Sequence, residues 1–580
     1  MIVADQKSMR ANHVRSGRYP AVFCLGLVVL TSILAFGETT NAPFLNWDDD
    51  RNFVANTDFR GVGADQFRWA WNTYHLGVWQ PLSWLLLGAQ WQVGGMQPVI
   101  YRAVSLALHV LNSMLFYLLL RRLLIAAPAK AAVPPDEAID VAAVAGAVLF
   151  ACHPLRVEPV VWISCQPYLP AVACYLVSVL AYLHAFSKPH RPRYVWWLAS
   201  LGCFSAAVMF KAVAVSLPLV LLILDLYVLR RREAGANEPR ARWTTLLMEK
   251  LPFVLVLIPV SMWAVAAKDF NESRVAWADI HLGERLAQSA YGIVFYLQKT
   301  LLPIGLSPYD RMPDDLALTT SRFLICMVLA ATVTCVLFMR RRRSPWLLAA
   351  WLAYVVILLP NLGVVQFSQQ LAADRYSYLG IMPIMAVVAA AIAGLWRRAS
   401  HRPNTRPALV IALTALSLGS VYGSRTYARH WQNSLSLWQR VLDLDPDCAV
   451  AHCNLGDALL RENRTTEASR HFAAAIDLDP NFSFAYANFA ALLVRAGRLD
   501  DAVFAAQRAL AGDSPLRGRD LARAHAILGE AYAAQRRDDL AWHHTLLAKE
   551  LGFAEAQKMI DYLSRFSSPP TTQPVLSPQN

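Results

Sequence analysis

The chain has 580 residues, of which 56% are hydrophobic and only 16% charged, and its formal net charge is +13. With a positive mean hydropathy, these values exclude a soluble enzyme with one anchor and point to a chain that crosses a membrane many times. The positive charge lies in short Lys/Arg clusters between apolar runs rather than on one face with interleaved aromatics, which argues against nucleic acid as a partner.

A spanning helix needs about twenty largely apolar residues. Runs of that kind fall at 19–37, 99–120, 139–155, 167–186, 194–210, 212–229, 251–267, 286–305, 321–339, 345–361, 376–396 and 407–424. The first reads as a signal anchor, because its apolar stretch is long and no clear small-x-small cleavage site precedes the polar segment. Basic clusters at Lys7 to Arg18, at Arg121 and Arg122, at Lys188 to Arg193 and at Arg230 to Arg232 all reach the cytoplasm if the N-terminus is inside. The loop 38–98 is then outside. Twelve spans would carry Arg340 to Arg343 out as well, whereas eleven return them to the cytoplasm. The segment 286–305, with Tyr291, Tyr296, Gln298 and Lys299, is therefore read as an interfacial helix. Residues 1–18 become a cytoplasmic N-terminus and 19–429 a domain of eleven spans.

From 430 to 566 the composition turns soluble and helical. Leu455 and Gly456 recur as Phe489 and Ala490 at a spacing of 34, Ala468 recurs as Ala502, and a third copy begins at Leu528 and Gly529 after a five-residue insertion near Pro515 to Arg519. A 34-residue helix-turn-helix period with small residues at the helix crossings is the tetratricopeptide signature. About three repeats and a half repeat at Leu437 to Pro446 are expected, packed against the membrane domain through a short aromatic bridge at Tyr427, His430, Trp431 and Trp438. The tail 567–580, rich in Ser, Pro, Thr and Gln, is expected to be disordered. The fold class is all-α: a polytopic helical membrane domain followed by an α-solenoid.

Chemistry-bearing residues are sparse. Nine cysteines form no CxxC pair and no zinc-ligand spacing, and no P-loop or nucleotide fingerprint is present. The residues thus name no cofactor and no metal motif. One polar stretch stands out, Asn46, Trp47, Asp48, Asp49, Asp50, Arg51, in the first outer loop. Three adjacent carboxylates repel one another, so the cluster is either a solvated loop or a site that uses its charge, such as a catalytic base.

Short motifs then recur in a recognisable order: Trp47, Asp48, Asp49 and Asn56; Trp79 to Ser83; His109 to Asn112; Phe150 to Val160; and Ala373 to Tyr378. In these, and in the repeats that follow them, the chain resembles the bacterial relatives of the transmembrane-and-tetratricopeptide-repeat O-mannosyltransferases, of the GT-C glycosyltransferase class. The resemblance covers 44–379 and implies a GT-C-like fold and transfer of a sugar, mannose among the candidates, from a polyprenyl-phosphate donor to a protein hydroxyl. It implies the outer face of a bacterial inner membrane as the place, with the repeats outside the cytoplasm holding the protein or peptide acceptor in their groove. It casts Asp48 or Asp49 as base, Lys211 and Arg375 as cations for the leaving lipid phosphate, and His153, Glu158 and Asp374 as substrate-binding or orienting groups. Each has an ordinary counterpart: a snorkelling lysine, an Asp374–Arg375 ion pair, a helix-terminus histidine, an interface carboxylate.

The chain departs from that family at Ser164, Cys165, Gln166, Pro167, where bacterial relatives typically carry a Glu-Arg-Lys-Asp run, and at Ala212 after Lys211. Lost outer-loop charge fits altered recognition or a non-catalytic membrane scaffold whose repeats recruit partners. A polysaccharide polymerase or ligase with repeats is a third reading, disfavoured by the ordered motifs.

Overall fold

The protein is described by a computed structural model covering residues 21–126, 136–186, 193–231, 241–270, 281–313, 315–363, 370–399, 404–512 and 516–569. Lys7, Arg10, Arg15, Arg18, Lys188, Arg191, Arg232, Pro515 and the tail from 570 lie outside the described residues. The chain divides into two compact units, 1–432 and 433–580.

The first unit is built from helices α1 (Ala21–Phe36), α2 (Ala64–Asn72), α3 (Pro81–Gly94), α4 (Pro98–Ala126), α5 (Asp136–Ala151), α6 (Val157–Val161), α7 (Tyr168–Ala185), α8 (Tyr194–Phe210) and α9 (Leu217–Tyr227). It continues through α10 (Trp243–Phe270), α11 (Leu282–Leu301), α12 (Ser321–Met339), α13 (Pro345–Leu358), α14 (Ser377–Gly380), α15 (Met382–Ala399) and α16 (Thr405–Arg429). The described strands are β1 (Asp310–Arg311) and β2 (Gln370–Ala372), paired antiparallel. The unit is a polytopic all-α membrane protein.

Among the described residues, seven helical segments are long and apolar enough to cross a bilayer, and an eighth forms if α5 and the bent segment Pro154–Val161 count as one span. Three more expected spans are short apolar helices, Tyr194–Phe210, Ala212–Tyr227 and Pro345–Asn361. The shortening has local causes. The span expected at 139–155 stops at Ala151 and bends by 59°, because Pro154 lacks the N–H that would continue the ladder. The run at 212–229 opens as a 3₁₀ turn, Ala212–Ser216, and turns α-helical only near Pro218. α11 carries Glu284, Arg285 and Lys299 and does not reach the apolarity of a span.

In lipid, helices gain little from burying apolar surface against each other, so small residues and interhelical hydrogen bonds select the packing. A Cβ on Gly146 of α5 would sit 2.9 Å from a Leu120 methyl and 3.1 Å from Ala389 Cβ, so glycine lets α4, α5 and α15 close up. Between them His109 Nε2–H donates to Ala151 O at 2.9 Å, which leaves Nδ1 to accept the Tyr378 hydroxyl at 2.8 Å. Asn112 donates to Tyr378 Oη and to Leu169 O. Further along α7, Tyr182, Asp225, Arg231, Glu249 and Lys250 form a buried ionic cluster. That cluster lies about 21 Å along the helix from Tyr168.

The second unit is a series of helix pairs. α17 (Ser434–Leu444), capped by the Asn433 side chain on Ser436 N–H, precedes α18 (Ala449–Arg461) with α19 (Thr465–Leu478) and α20 (Ser483–Arg495) with α21 (Leu499–Ala511). A third pair, α22 (Gly518–Ala534) with α23 (Asp538–Glu550), and a last helix α24 (Ala556–Leu563) complete it. Each pair turns through one left-handed residue: Asn463, Gly497 and Arg536. Close crossing needs small side chains, and a Cβ on Gly456 would meet the Phe472 ring at 2.7 Å.

Candidate active site

The segment between α1 and α2 is held by main-chain anchors. Buried Arg102 of α4 donates to the carbonyls of Pro43 and Val161, fastening the start of the Asp48 segment to the turn after α6. A Cβ on Gly88 of α3 would lie 2.1 Å from Gly61 O, so the loop rests directly on the helix backbone there. Trp47 stacks on Trp162 with centroids 4.4 Å apart and on Trp431 at 5.9 Å, and Trp162 Nε1 donates to Trp47 O at 2.9 Å.

Within this frame the two candidate carboxylates have different surroundings. Asp49 is fully buried and accepts three hydrogen bonds, from Leu45 N–H at 3.1 Å, Ser164 N–H at 3.0 Å and Ser164 Oγ at 2.5 Å. Burial pushes its pKa up to about 6, against the opposing pull of these donors and of Arg102. Asp48 adopts a left-handed backbone, φ 59°, a conformation non-glycine residues seldom take. It keeps part of its surface open, yet protein surrounds the carboxyl closely enough that burial raises its pKa. The charges of Arg51, Arg375 and Lys211 oppose that rise, and Asp50 adds to it.

The cations come from two other segments. Lys211 caps the end of α8, half-buried, with Nζ 3.3 Å from Gln80 Oε1 and 5.4 Å from the Tyr168 ring centroid. Burial lowers its pKa to about 8, with Lys268 and Arg375 adding to the effect and Asp48 resisting it. Lys268, at the end of α10, was not singled out from sequence. Arg375 is clamped by Glu158 of α6, whose carboxylate accepts both its backbone N–H, at 2.7 Å, and its guanidinium. Its other arm donates to Gln370 Oε1 at 2.8 Å, and it lies over the rings of Trp162 and Tyr376. Burial alone would lower its pKa, but Glu158 and the neighbouring tyrosines hold it well above the ordinary value.

Two sequence candidates have other duties. Asp374 is buried, does not pair with Arg375, and accepts the Tyr427 hydroxyl at 3.1 Å. Burial and the Glu158 charge raise its pKa well above the ordinary aspartate value. In His153, Nε2 lies 2.9 Å from Thr300 O and Nδ1 accepts Leu155 N–H at 3.2 Å, so both ring nitrogens brace the turn at Pro154.

Residues 164 and 166 tie this site to distant segments. Ser164 bonds Asp49 and receives the Asn52 amide at 3.1 Å, while buried Gln166 exchanges hydrogen bonds with Gln90 and donates to Tyr101 O and Ser105 Oγ. Neither was expected to matter by its own residue type. Among the described residues no group of three or more His, Cys, Asp or Glu side chains is placed to hold a metal.

No family model matches the chain. Among curated proteins it is 23% identical over 461 residues to protein O-mannosyl-transferase Tmtc3 of Drosophila melanogaster, covering 69% of this chain and 48% of that protein. The chain is a distant relative of that transferase family. A second relative, protein O-mannosyl-transferase Tmtc1 of the same fly, is 32% identical over 152 residues, 25% of this chain and 16% of the relative. The chain thus spans less than half the length of either of these two relatives.

Proposed function

We propose that the chain is a membrane glycosyltransferase that moves a sugar, mannose among the candidates, from a polyprenyl-phosphate donor to a hydroxyl of a protein. The observation that carries this reading is the meeting of a half-buried Asp48 with the charges of Lys211 and Arg375, a base beside cations in a poorly screened place. The distant transferase relatives support it at the level of the reaction class.

In this reading the Asp48 carboxylate takes the proton of the acceptor hydroxyl as that oxygen bonds to the anomeric carbon, and the carbon–oxygen bond to phosphate breaks on the opposite side. Configuration inverts, and polyprenyl phosphate leaves with its electron pair. Lys211 holds the departing phosphate while charged, and Glu158 fixes the Arg375 guanidinium so that it presents positive charge without reorganising. Asp49 is the strut that sets the loop, not the base. The helix pairs of 449–550 are read as tetratricopeptide repeats holding an extended stretch of the acceptor, outside the cytoplasm of a bacterial inner membrane.

Deleting 447–580 tests the acceptor role: transfer to a short peptide persists, while the apparent Michaelis constant for a full protein acceptor rises. Equal handling of both acceptors by a correctly inserted truncation would remove that role. For the reaction itself, purified full chain is given labelled lipid-linked sugar and a Ser/Thr peptide. Label reaching the peptide supports the reading, and a folded, inserted chain that transfers none is the scaffold.

A further inference from the structure

The end of α16 reaches three of the segments that build the candidate site. Ser424, Tyr427 and Trp431 follow one another at spacings of three and four residues, so they share one face. Ser424 Oγ donates to Cys152 O at 2.7 Å, and a Cβ on Gly423 would lie 3.2 Å from Pro154 Cγ, which seats this end on the bend after α5. One turn on, the Tyr427 hydroxyl donates to Asp374 Oδ2 at 3.1 Å. Trp431 is fully buried in the turn that closes the helix, its N–H on Ala428 O at 3.0 Å. Its ring lies 5.9 Å from that of Trp47 and 6.2 Å from that of Trp162.

These contacts fall beside the reacting groups rather than on them. Trp47 precedes Asp48, Asp374 precedes Arg375, and the Arg375 guanidinium lies 5.6 Å from the Trp162 ring centroid. Asp48 and Arg375 come from segments far apart in the chain, and the end of α16 touches a neighbour of each. A left-handed backbone such as that of Asp48 persists only where the surroundings over-determine it. On one side Asp49 is tied to Leu45 and Ser164. On the other, Trp47 is held by Trp162 Nε1 on its carbonyl and by the rings of Trp162 and Trp431. Trp431 Nε1 is buried without a hydrogen-bond partner, so this indole acts through its ring. Asp374 Oδ1 has no partner either, so among the described residues the Tyr427 hydroxyl makes the hydrogen bond to that carboxyl group.

We propose that Tyr427 and Trp431 are positioning residues that set the separation of Asp48 from Arg375, the first acting through Asp374 and the second through Trp47. This rests on the reading of Asp48 as the base. A displacement of about 1 Å in a reacting group costs on the order of a hundredfold in rate, so residues that touch no substrate can govern turnover.

The test is hydrogen exchange read by mass spectrometry, with steady-state kinetics at equal folded fraction, on the purified full chain and its Trp431→Leu, Trp431→Phe and Tyr427→Phe variants. Trp431→Leu should speed exchange in 45–52 and Tyr427→Phe in 370–377, with α18 to α23 unchanged. In both, kcat should fall about ten- to a hundredfold, while KM for the lipid-linked sugar stays within about twofold. Trp431→Phe keeps an aromatic face and should recover most of the loss. Placed in Asp48→Asn, Trp431→Leu should cost no further turnover, because it acts through the carboxylate. Variants that exchange in these segments as the unaltered chain does, or that melt earlier with kcat kept, would overturn the proposal. If the unaltered chain transfers no sugar, the proposed function fails, and the exchange pattern alone decides whether the end of α16 holds these segments.

Discussion

Asp49 and Ser164, 115 residues apart in the chain, are joined twice through one carboxylate oxygen, by the serine N–H at 3.0 Å and its hydroxyl at 2.5 Å. That linkage separates the two adjacent aspartates by role. Asp48→Asn should lower turnover by about two to four orders of magnitude with thermal stability kept, as removal of a general base does. Asp49→Asn should lower stability and activity together, because asparagine presents an N–H2 group to donors that expect an oxygen. Ser164→Ala, which leaves the carboxylate short of one donor, should cost about 1–3 kcal/mol in unfolding measurements. Full activity in Asp48→Asn would move the base elsewhere.

The pH profile follows from the same residues. A base works deprotonated, so activity should rise with pH through the raised pKa of Asp48, on a limb lying above the ordinary aspartate range near 3.9. Lys211 works protonated, so activity should fall as pH passes about 8. Lys211→Arg, which stays charged, should remove the alkaline limb while leaving the acid limb in place. An unchanged alkaline limb in that variant would assign it to another group.

Glu158 and Arg375 are a buried ion pair, with 1% and 12% of their side chains exposed. Breaking such a pair strands a charge, so Glu158→Ala should destabilise by about 3–5 kcal/mol. Glu158→Gln keeps an acceptor for the Arg375 N–H and should cost less stability, yet should still lower turnover by loosening the guanidinium. Thermal melts with parallel kinetics check both.

Orientation is read from charge alone and is open to labelling. In right-side-out vesicles of a chain with its native cysteines replaced, an impermeant thiol reagent should modify a cysteine at Asp65, an exposed position in α2, and spare one at Arg342. Equal labelling of the two would discard the topology.

Much of the fold was legible because membrane composition is a strong signal: the apolar runs mark the helices, and the repeat period marks the helix pairs. Interruptions were harder, since Pro154 and Pro218 shorten helices that hydropathy reads as continuous. The candidates Asp48, Glu158 and Arg375 stand in the ordered motifs and Lys211 at the junction of two expected spans, but the different surroundings of Asp48 and Asp49 were not legible. Two neighbours of one residue type differ only by a left-handed φ and by a partner on a distant turn. Ser164 and Gln166 drew notice only as a departure from a charged run, and Arg102 drew none, because their work is hydrogen bonding to far segments, which no local pattern records.

The central claim is that Asp48 serves sugar transfer from a lipid phosphate. It is tested most directly by giving labelled polyprenyl-phosphate sugar and a Ser/Thr peptide to the purified full chain and to Asp48→Asn, both shown to be folded. The account predicts labelled peptide from the first and at least about a hundredfold less from the second. Equal transfer by both, or none by either, would contradict it.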